Sequence, residues 1–444
     1  MYTSEPQEHQ FSFSHDWFMK PELDQEHELI KIANAVDWGA LSDALSKFYC
    51  PDNGRPTKPS RAKIGLLILK HLKGLSDKNT VDEVKANIYA QYLCDVSLKE
   101  ASRFIHSSSL TRFRQQIGVE GVRLIEDEVL KTLKKARVLR GRKVVTDTTV
   151  MPVNIAYPTD IQLLDKVRRQ AIAMLDQAKI FGAKTYRTYQ RTARKAVIMY
   201  QKIRKHTIRA RRKVQKKLLQ FSRRNTNQLA DAVKRIDRNK DVDSPLKEQF
   251  IEKAKKFLNT AKTILAQQHE VYRGRPVKER IVSLHRTHIR PMVRGKYPVE
   301  VEFGPKILLN QRGKCLFLED VQFNNVSDSQ LLKKSLQSYR QRFGHVPTQL
   351  AADRGFWSKA NREFAATFGV QKIAIENKGK SSYLKGQPFR ERLRRARCAI
   401  EAKISLSKRK FGLDRCLYSI DGGEEIWARL GLIAMNLKIA HSVG

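Results

Sequence analysis

The chain has no CxxC pair and few acids for its cations, and each shortage argues against something. Its five cysteines (Cys50, Cys94, Cys315, Cys398 and Cys416) are scattered, with no CxxC spacing. That argues against a zinc ribbon or a disulfide framework and favours reduced thiols in a cytosolic protein. No apolar run of about 18 residues occurs and no lipidation signal is present, so no membrane anchor is expected. Met1 to Gln25 has neither a basic n-region nor an apolar h-region, so secretion is not expected. His285 and His288 form an HxxH with no acid or second ligand pair nearby, and read as surface or structural histidines.

The shortage of acids carries more. Asp and Glu number 45 against 86 Lys and Arg, a formal net charge of +41. Such a field attracts polyanions, with nucleic acid first and an anionic membrane surface as the weaker rival. Between Gln177 and Ala230 there are 17 Lys and Arg and no Asp or Glu. A charge run is usually a solvated face, but one without acidic relief repels itself unless a polyanion neutralises it. Apolar residues recur there at helical spacing: Tyr186, Tyr189, Ala193, Val197, Tyr200 and Ile203, then Val214, Leu218 and Phe221. One face can therefore pack while the other stays cationic. Helices lying along a phosphate backbone are expected, with Arg187, Arg191, Arg194, Arg204, Arg211 and Arg212 as contacts. The tyrosines are expected to pack rather than to stack on bases.

With 444 residues, 41% of them hydrophobic, the chain has room for two or three folded domains. Residues 24 to 118 read as helices. Ile64, Leu67, Ile68 and Leu72 form an apolar stripe, Gly74 suits a C-cap, and Ser76 can cap the next helix. "SSSLTRFRQQIG" starts another, with serines at its cap and Arg112 and Arg114 inside. Two readings fit equally: a helix-turn-helix-like DNA reader, or a bundle with solvated arginines. After Arg280 the pattern turns to strands. "YPVEVEFG", "GPKILLNQRG" and "KCLFLEDVQF" suit a mixed sheet, followed by alternating helices and strands, and the class is α/β. "AIENKGKS" ends in Gly379-Lys380-Ser381, but Ala374 occupies the first glycine position of a P-loop, so an NTPase is not expected.

Against this cationic background, two acids follow short apolar runs. Asp147 comes after Lys143 to Thr146, and Asp353 after "VPTQLAA". Ligands of α/β sheets collect at strand carboxyl ends, so two such acids can converge. Arg397, Glu401 and Lys408 drift by only about 40° and −20° around a helix, forming one stripe. Alone, that stripe is an ion-pair ladder. Together, the three carboxylates suit in-line attack at phosphorus supported by two hard divalent ions.

At this point the chain resembles the bacterial insertion-sequence transposases of the DDE type, which have an RNase H-like core. The helical segment through "GRPTKPSRAKIGLLILKHLKGLSD" and "HSSSLTRFRQQIG" is similar to the N-terminal domain of one large branch. "VTDTTVMPVNIAYPTD", "GKYPVEVEFGPKI" and "AADRGFWS" resemble its strand segments, and Arg397-x3-Glu401-x6-Lys408 matches its R-E-K helix signature. Members usually carry a tyrosine three residues before that arginine; here the position is Arg394.

The resemblance implies a four-part chain. Residues 1–125 would be an all-α DNA-binding domain and 126–160 the first part of the RNase H-like core. Residues 161–275 would be a basic helical insertion, and 276–444 the rest of the core with its C-terminal helices. Asp147, Asp353 and Glu401 would be catalytic and would ligate two Mg²⁺, with Mn²⁺ as an alternative. Arg397 and Lys408 would meet phosphates, and Arg394 would replace the tyrosine by charge. The partner would be double-stranded DNA, both terminal repeats and target, bound by a homodimer in the bacterial cytoplasm at the nucleoid. The competing readings are a stand-alone metal nuclease, a non-catalytic nucleic-acid-binding protein derived from a transposase, and an RNA-associated structural protein.

Overall fold

The computed structural model describes residues 23–50, 57–101, 104–155, 159–205, 207–239, 244–293, 301–377 and 390–441, without the side chains at 98, 99 and 390–394. The chain divides into two units, residues 1–154 with 305–444, and residues 155–304.

The first unit opens with seven helices: α1 (Glu28–Ala35), α2 (Trp38–Leu45), α3 (Ser60–Lys73), α4 (Asp77–Ala86), α5 (Ile88–Cys94), α6 (Leu98–Ala101) and α7 (Ser107–Lys135). Local chemistry sets their ends. Gly74 closes α3 at φ 65°, a conformation that costs glycine little. Ser76 Oγ accepts from Asn79 N at 3.1 Å and starts α4. At α7 the cap is the His106 ring, which accepts from Ser108 N, and not a serine. Gly118, at φ 56°, interrupts α7. The expected stripe on α3 is too narrow a description, because every residue from Ser60 to His71 is buried. Gly65 permits this on one side, since a Cβ there would lie 3.0 Å from Cys94 Sγ.

Strand β1 (Lys143–Val150) follows, and the second unit then begins. It contains α8 (Asp160–Ala178), α9 (Gln190–Gln201), α10 (Ile208–Arg238), α11 (Pro245–Tyr272), β2 (Pro291–Val293) and β3 (Val301–Phe303). Helices α8, α10 and α11 share a core that includes Val167, Ala171, Leu229, Val233, Phe250, Ala254 and Phe257. Ala193, Val197 and Leu218 are buried as their spacing predicts, with Tyr200, Val214 and Phe221 packed against them. Ile203 remains 39% exposed. The alternation of "YPVEVEFG" predicts a strand of the main sheet. Its described part instead gives β3, paired with β2 in a separate two-stranded ribbon.

The first unit resumes with β4 (Lys306–Arg312), β5 (Cys315–Gln322), α12 (Asp328–Phe343), β6 (Gln349–Ala352), α13 (Lys359–Thr367), β7 (Lys372–Ile375), α14 (Arg390–Phe411) and α15 (Gly423–His441). The sheet order is β5-β4-β1-β6-β7. β1 pairs antiparallel with β4 and parallel with β6, and β6 is parallel to β7. This is the mixed α/β sheet expected, of RNase H-like type, with the helical N-terminal region beside it. α15 is apolar almost all round and packs among α3, α7 and β5, as a fully buried helix must. Among the described residues no helix is long and apolar enough to cross a membrane.

Candidate active site

Asp147 does not end its strand. β1 continues through Thr148, Thr149 and Val150 because its other edge pairs with β4 as far as Val150 and Lys306. On the β6 side, pairing stops at Thr146 and Ala352. Asp147, within β1, and Asp353, one residue past the end of β6, are each the next residue after that pairing, on neighbouring chains that run parallel about 4.8 Å apart. Asp353 also stands at the N-cap position of the short 3₁₀ turn Arg354–Phe356, with its backbone oxygen and not its carboxylate accepting from Phe356 N.

α14 packs against β1, β6 and β7. Its buried face holds Ala396, Ile400, Ile404, Ser407 and Phe411. Arg397, Glu401 and Lys408 each follow a buried position by one residue, which puts their stripe at the border of the packed face. Two of the three are tied to the sheet. Arg397 Nη2 lies 2.6 Å from Asp353 Oδ1, and Lys408 Nζ donates to Val150 O at 2.9 Å. Glu401 is exposed. The side chain of Arg394 lies outside the described residues, as does the Gly379-Lys380-Ser381 segment.

Burial pushes the Asp147 carboxyl up to about 6, against the pull of the Thr148 N–H, and the charges of Asp353, Glu401 and Asp328 add to the rise. The three acids named from the sequence thus share one electrostatic neighbourhood. Among the described residues, however, no three His, Cys, Asp or Glu side chains are gathered closely enough to hold an ion as they stand. The donor set is oxygen only, which suits a hard divalent cation. The rise at Asp147 comes first from burial; the lesser part, from the neighbouring carboxylates, is what such a cation would relieve.

Sequence reasoning missed a fourth acid. Asp328 Oδ1 accepts from Thr148 Oγ1 at 2.8 Å and lies 3.1 Å from Lys306 Nζ. Its signal in the sequence was only "VSDSQLL", an acid in the first turn of an expected helix.

The cations divide sharply. Arg187, Arg191, Arg194, Arg204, Arg211 and Arg212 are all exposed on the second unit. Arg187 and Arg224 both stack on the Tyr189 ring, at 4.8 and 4.6 Å. Arg112 is exposed on α7, but Arg114 is not available to DNA. It is 2% exposed, its fork grips Asp77 at 3.1 and 2.5 Å, and it stacks on Tyr418 at 4.1 Å. Its neighbours on α3 and α4 make it part of the core, which its place in a basic helix did not reveal.

Residues 18–116 match the family model described as Transposase domain (DUF772), and residues 305–437 match that of a Transposase DDE domain. The second match takes in Asp353 and Glu401; Asp147 lies between the two. The chain is similar to the uncharacterized protein ORF8 in the nfe locus of Rhizobium meliloti. The two are 31% identical over 183 residues, which is 40% of this chain and 84% of that protein. No solved structure matches. The chain belongs to the insertion-sequence transposases of the DDE type.

Proposed function

We propose that this transposase binds the terminal inverted repeats of its element as duplex DNA, cuts there, and joins the freed 3′-OH ends to target DNA. The observation that carries the reading is the placement of Asp147 in β1 beside Asp353 at the end of the parallel strand β6, with Glu401 felt electrostatically by Asp147. Asp147, Asp353 and Glu401 would hold two Mg²⁺. When bound, such ions activate the attacking hydroxyl and stabilise the leaving oxygen.

The chain's own residues do the rest. Arg397 neutralises Asp353 in the metal-free protein and turns to a DNA phosphate when the site is loaded. Lys408, anchored on Val150 O, presents its charge beside the strand that carries Asp147. Arg394 adds a cation one turn earlier on α14. Exposed Arg112 and the N-terminal helices read the repeat. The exposed arginines of the second unit grip phosphates without sequence preference. Two ends must be held together, so the DNA-bound form is read as a homodimer, acting in the bacterial cytoplasm on nucleoid DNA.

The test uses purified protein, a labelled duplex ending in the element's terminal repeat, and Mg²⁺ followed by EDTA. Nicking and end-joining that require metal, and that Asp147→Asn abolishes while gel-shift binding persists, are expected. Nicking without joining would instead give a stand-alone nuclease. Binding with no cleavage under any metal would leave a non-catalytic nucleic-acid-binding protein.

A further inference from the structure

Asp328 joins three chain segments to which it does not belong. Its Oδ1 accepts the Thr148 hydroxyl at 2.8 Å, and Thr148 N donates to Asp147 Oδ1 at 2.7 Å. One residue therefore links the two acids through both of its donors. The same Oδ1 lies 3.1 Å from Lys306 Nζ, and Lys306 pairs with Val150 at the far end of the β1–β4 ladder. Its Oδ2 faces Gly355, two residues beyond Asp353, so closely that a Cβ there would lie 2.7 Å away. The glycine leaves room for this approach, which a Cβ would close unless Asp328 moved; its backbone angle does not call for glycine, because Gly355 is not among the residues with positive φ.

An acid in the first turn of a helix favours the helix dipole, and α12 gains that from Asp328. The dipole explains neither the Thr148 bond nor the bare Gly355. A carboxylate wedged between the residue after one metal-binding acid and the turn after another is placed to set their separation.

We propose that Asp328 is the positioning residue of this site: it brackets Thr148 and the Gly355 turn, and so fixes Asp147 and Asp353 at the spacing that divalent cations require. The inference rests on the metal-dependent reading above. Removing an outer partner of metal ligands typically weakens metal affinity about 10- to 100-fold.

The test uses the full chain with Asp328→Ala, Asp328→Asn and Gly355→Ala. Mn²⁺ binding without DNA is measured by calorimetry, and cleavage of the repeat duplex is measured across a Mg²⁺ titration. Asp328→Ala should raise the half-saturating metal concentration at least about tenfold with gel-shift affinity unchanged. Asp328→Asn should lie between Ala and wild type, because its amide oxygen still accepts from Thr148. Gly355→Ala should act in the same direction by displacing an intact Asp328, so the inference stays testable if Asp328→Ala fails to fold. A general loss of stability would lower thermal midpoints without ordering the three variants by metal affinity. Wild-type Mn²⁺ affinity in Asp328→Asn and Gly355→Ala would overturn the inference and leave the proposed function standing. Wild-type protein that binds Mn²⁺ but never cleaves would overturn the proposed function, and Mn²⁺ affinities alone would then decide the role of Asp328. Wild-type protein that binds no Mn²⁺ would overturn both.

Discussion

Arg397 holds Asp353: guanidinium Nη2 and carboxylate Oδ1 are 2.6 Å apart, bridging the long basic helix and the end of β6. The pair is half in solvent, with side-chain exposures of 23% and 50%. Such pairs contribute about 0–1 kcal/mol, so a metal ion can displace the arginine at little cost.

Arg397→Ala should separate metal binding from chemistry. Freed of its partner, Asp353 should bind Mn²⁺ slightly more tightly, by no more than about fivefold. On the proposed function, cleavage at saturating metal should nevertheless fall by about 10- to 100-fold, because the variant would lack a charge-assisted phosphate hydrogen bond of about 1.5–3 kcal/mol. A metal titration of cleavage checks both; unchanged maximal cleavage would remove Arg397 from the reaction.

His71 should make the first unit sensitive to acid. The ring is 2% exposed, with Nδ1 3.3 Å from Phe411 O, and burial, aided by the Lys70 cation, pushes its pKa down to about 3. The folded value lies below the unfolded one, so the unfolded chain takes up a proton that the folded chain refuses. Stability from this source is full above the unfolded value of about 6.5 and falls as pH drops toward 3, by about 1.4 kcal/mol per pH unit. Between pH 7 and 5, urea unfolding of wild type should lose about 2 kcal/mol more than that of His71→Gln. Parallel losses in both proteins would assign the acid sensitivity to other groups.

Glu126 on α7 serves two buried arginines. Its carboxylate bonds Arg429 of α15 and lies 3.1 Å from Arg342 of α12, which also reaches Glu319 at 3.3 Å. Glu126→Ala would leave both guanidiniums without it in the interior. Breaking a buried pair from one side costs about 3–5 kcal/mol, and the urea midpoint should fall accordingly. A loss under about 1 kcal/mol would mean that Glu319 and Glu425, the other carboxylates on these arginines, suffice to hold them.

The acid-free stretch should govern salt dependence. Within residues 177–230, only Lys179 and Lys184 meet a carboxylate among the described residues, Asp176 at 2.8 Å and Asp231 at 4.0 Å. Replacing exposed Arg211 and Arg212 by Gln should weaken binding to any duplex alike. The slope of log affinity against log salt should fall by about 1 for each phosphate that an arginine no longer neutralises. An unchanged slope in gel shifts from low to high salt would place the DNA elsewhere.

Much of the placement of the candidate residues was legible because its signals are local. Asp353 follows a short apolar strand, and the Arg397, Glu401 and Lys408 stripe depends only on helical pitch. A strand end at Asp147 follows only if the residues after it break the strand, yet the β-branched Thr148, Thr149 and Val150 extend β1 along its β4 edge. Pairing partners decide where a strand stops, and they are distant in sequence. The same distance hid Asp328, whose partner Thr148 is 180 positions away. It also hid the burial of Arg114, whose partner Asp77 lies on another helix. Charge density showed that the second unit is cationic, but not which arginines elsewhere are consumed by the core.

The register of β1 against β4 bears on how such enzymes diversify. Val150 and Lys306 face each other as the two sides of a hairpin would, and Met151 N donates to Pro305 O at 3.0 Å just beyond them. A connection that commonly needs about two to five residues here encloses residues 151 to 305. The outgoing chain stays bonded to Cys416 as far as Asn154, so the second unit, residues 155–304, can be shortened, lengthened or exchanged by recombination without re-registering the strands. Related lineages can thus keep one cutting apparatus and trade the cassette threaded through its tightest turn.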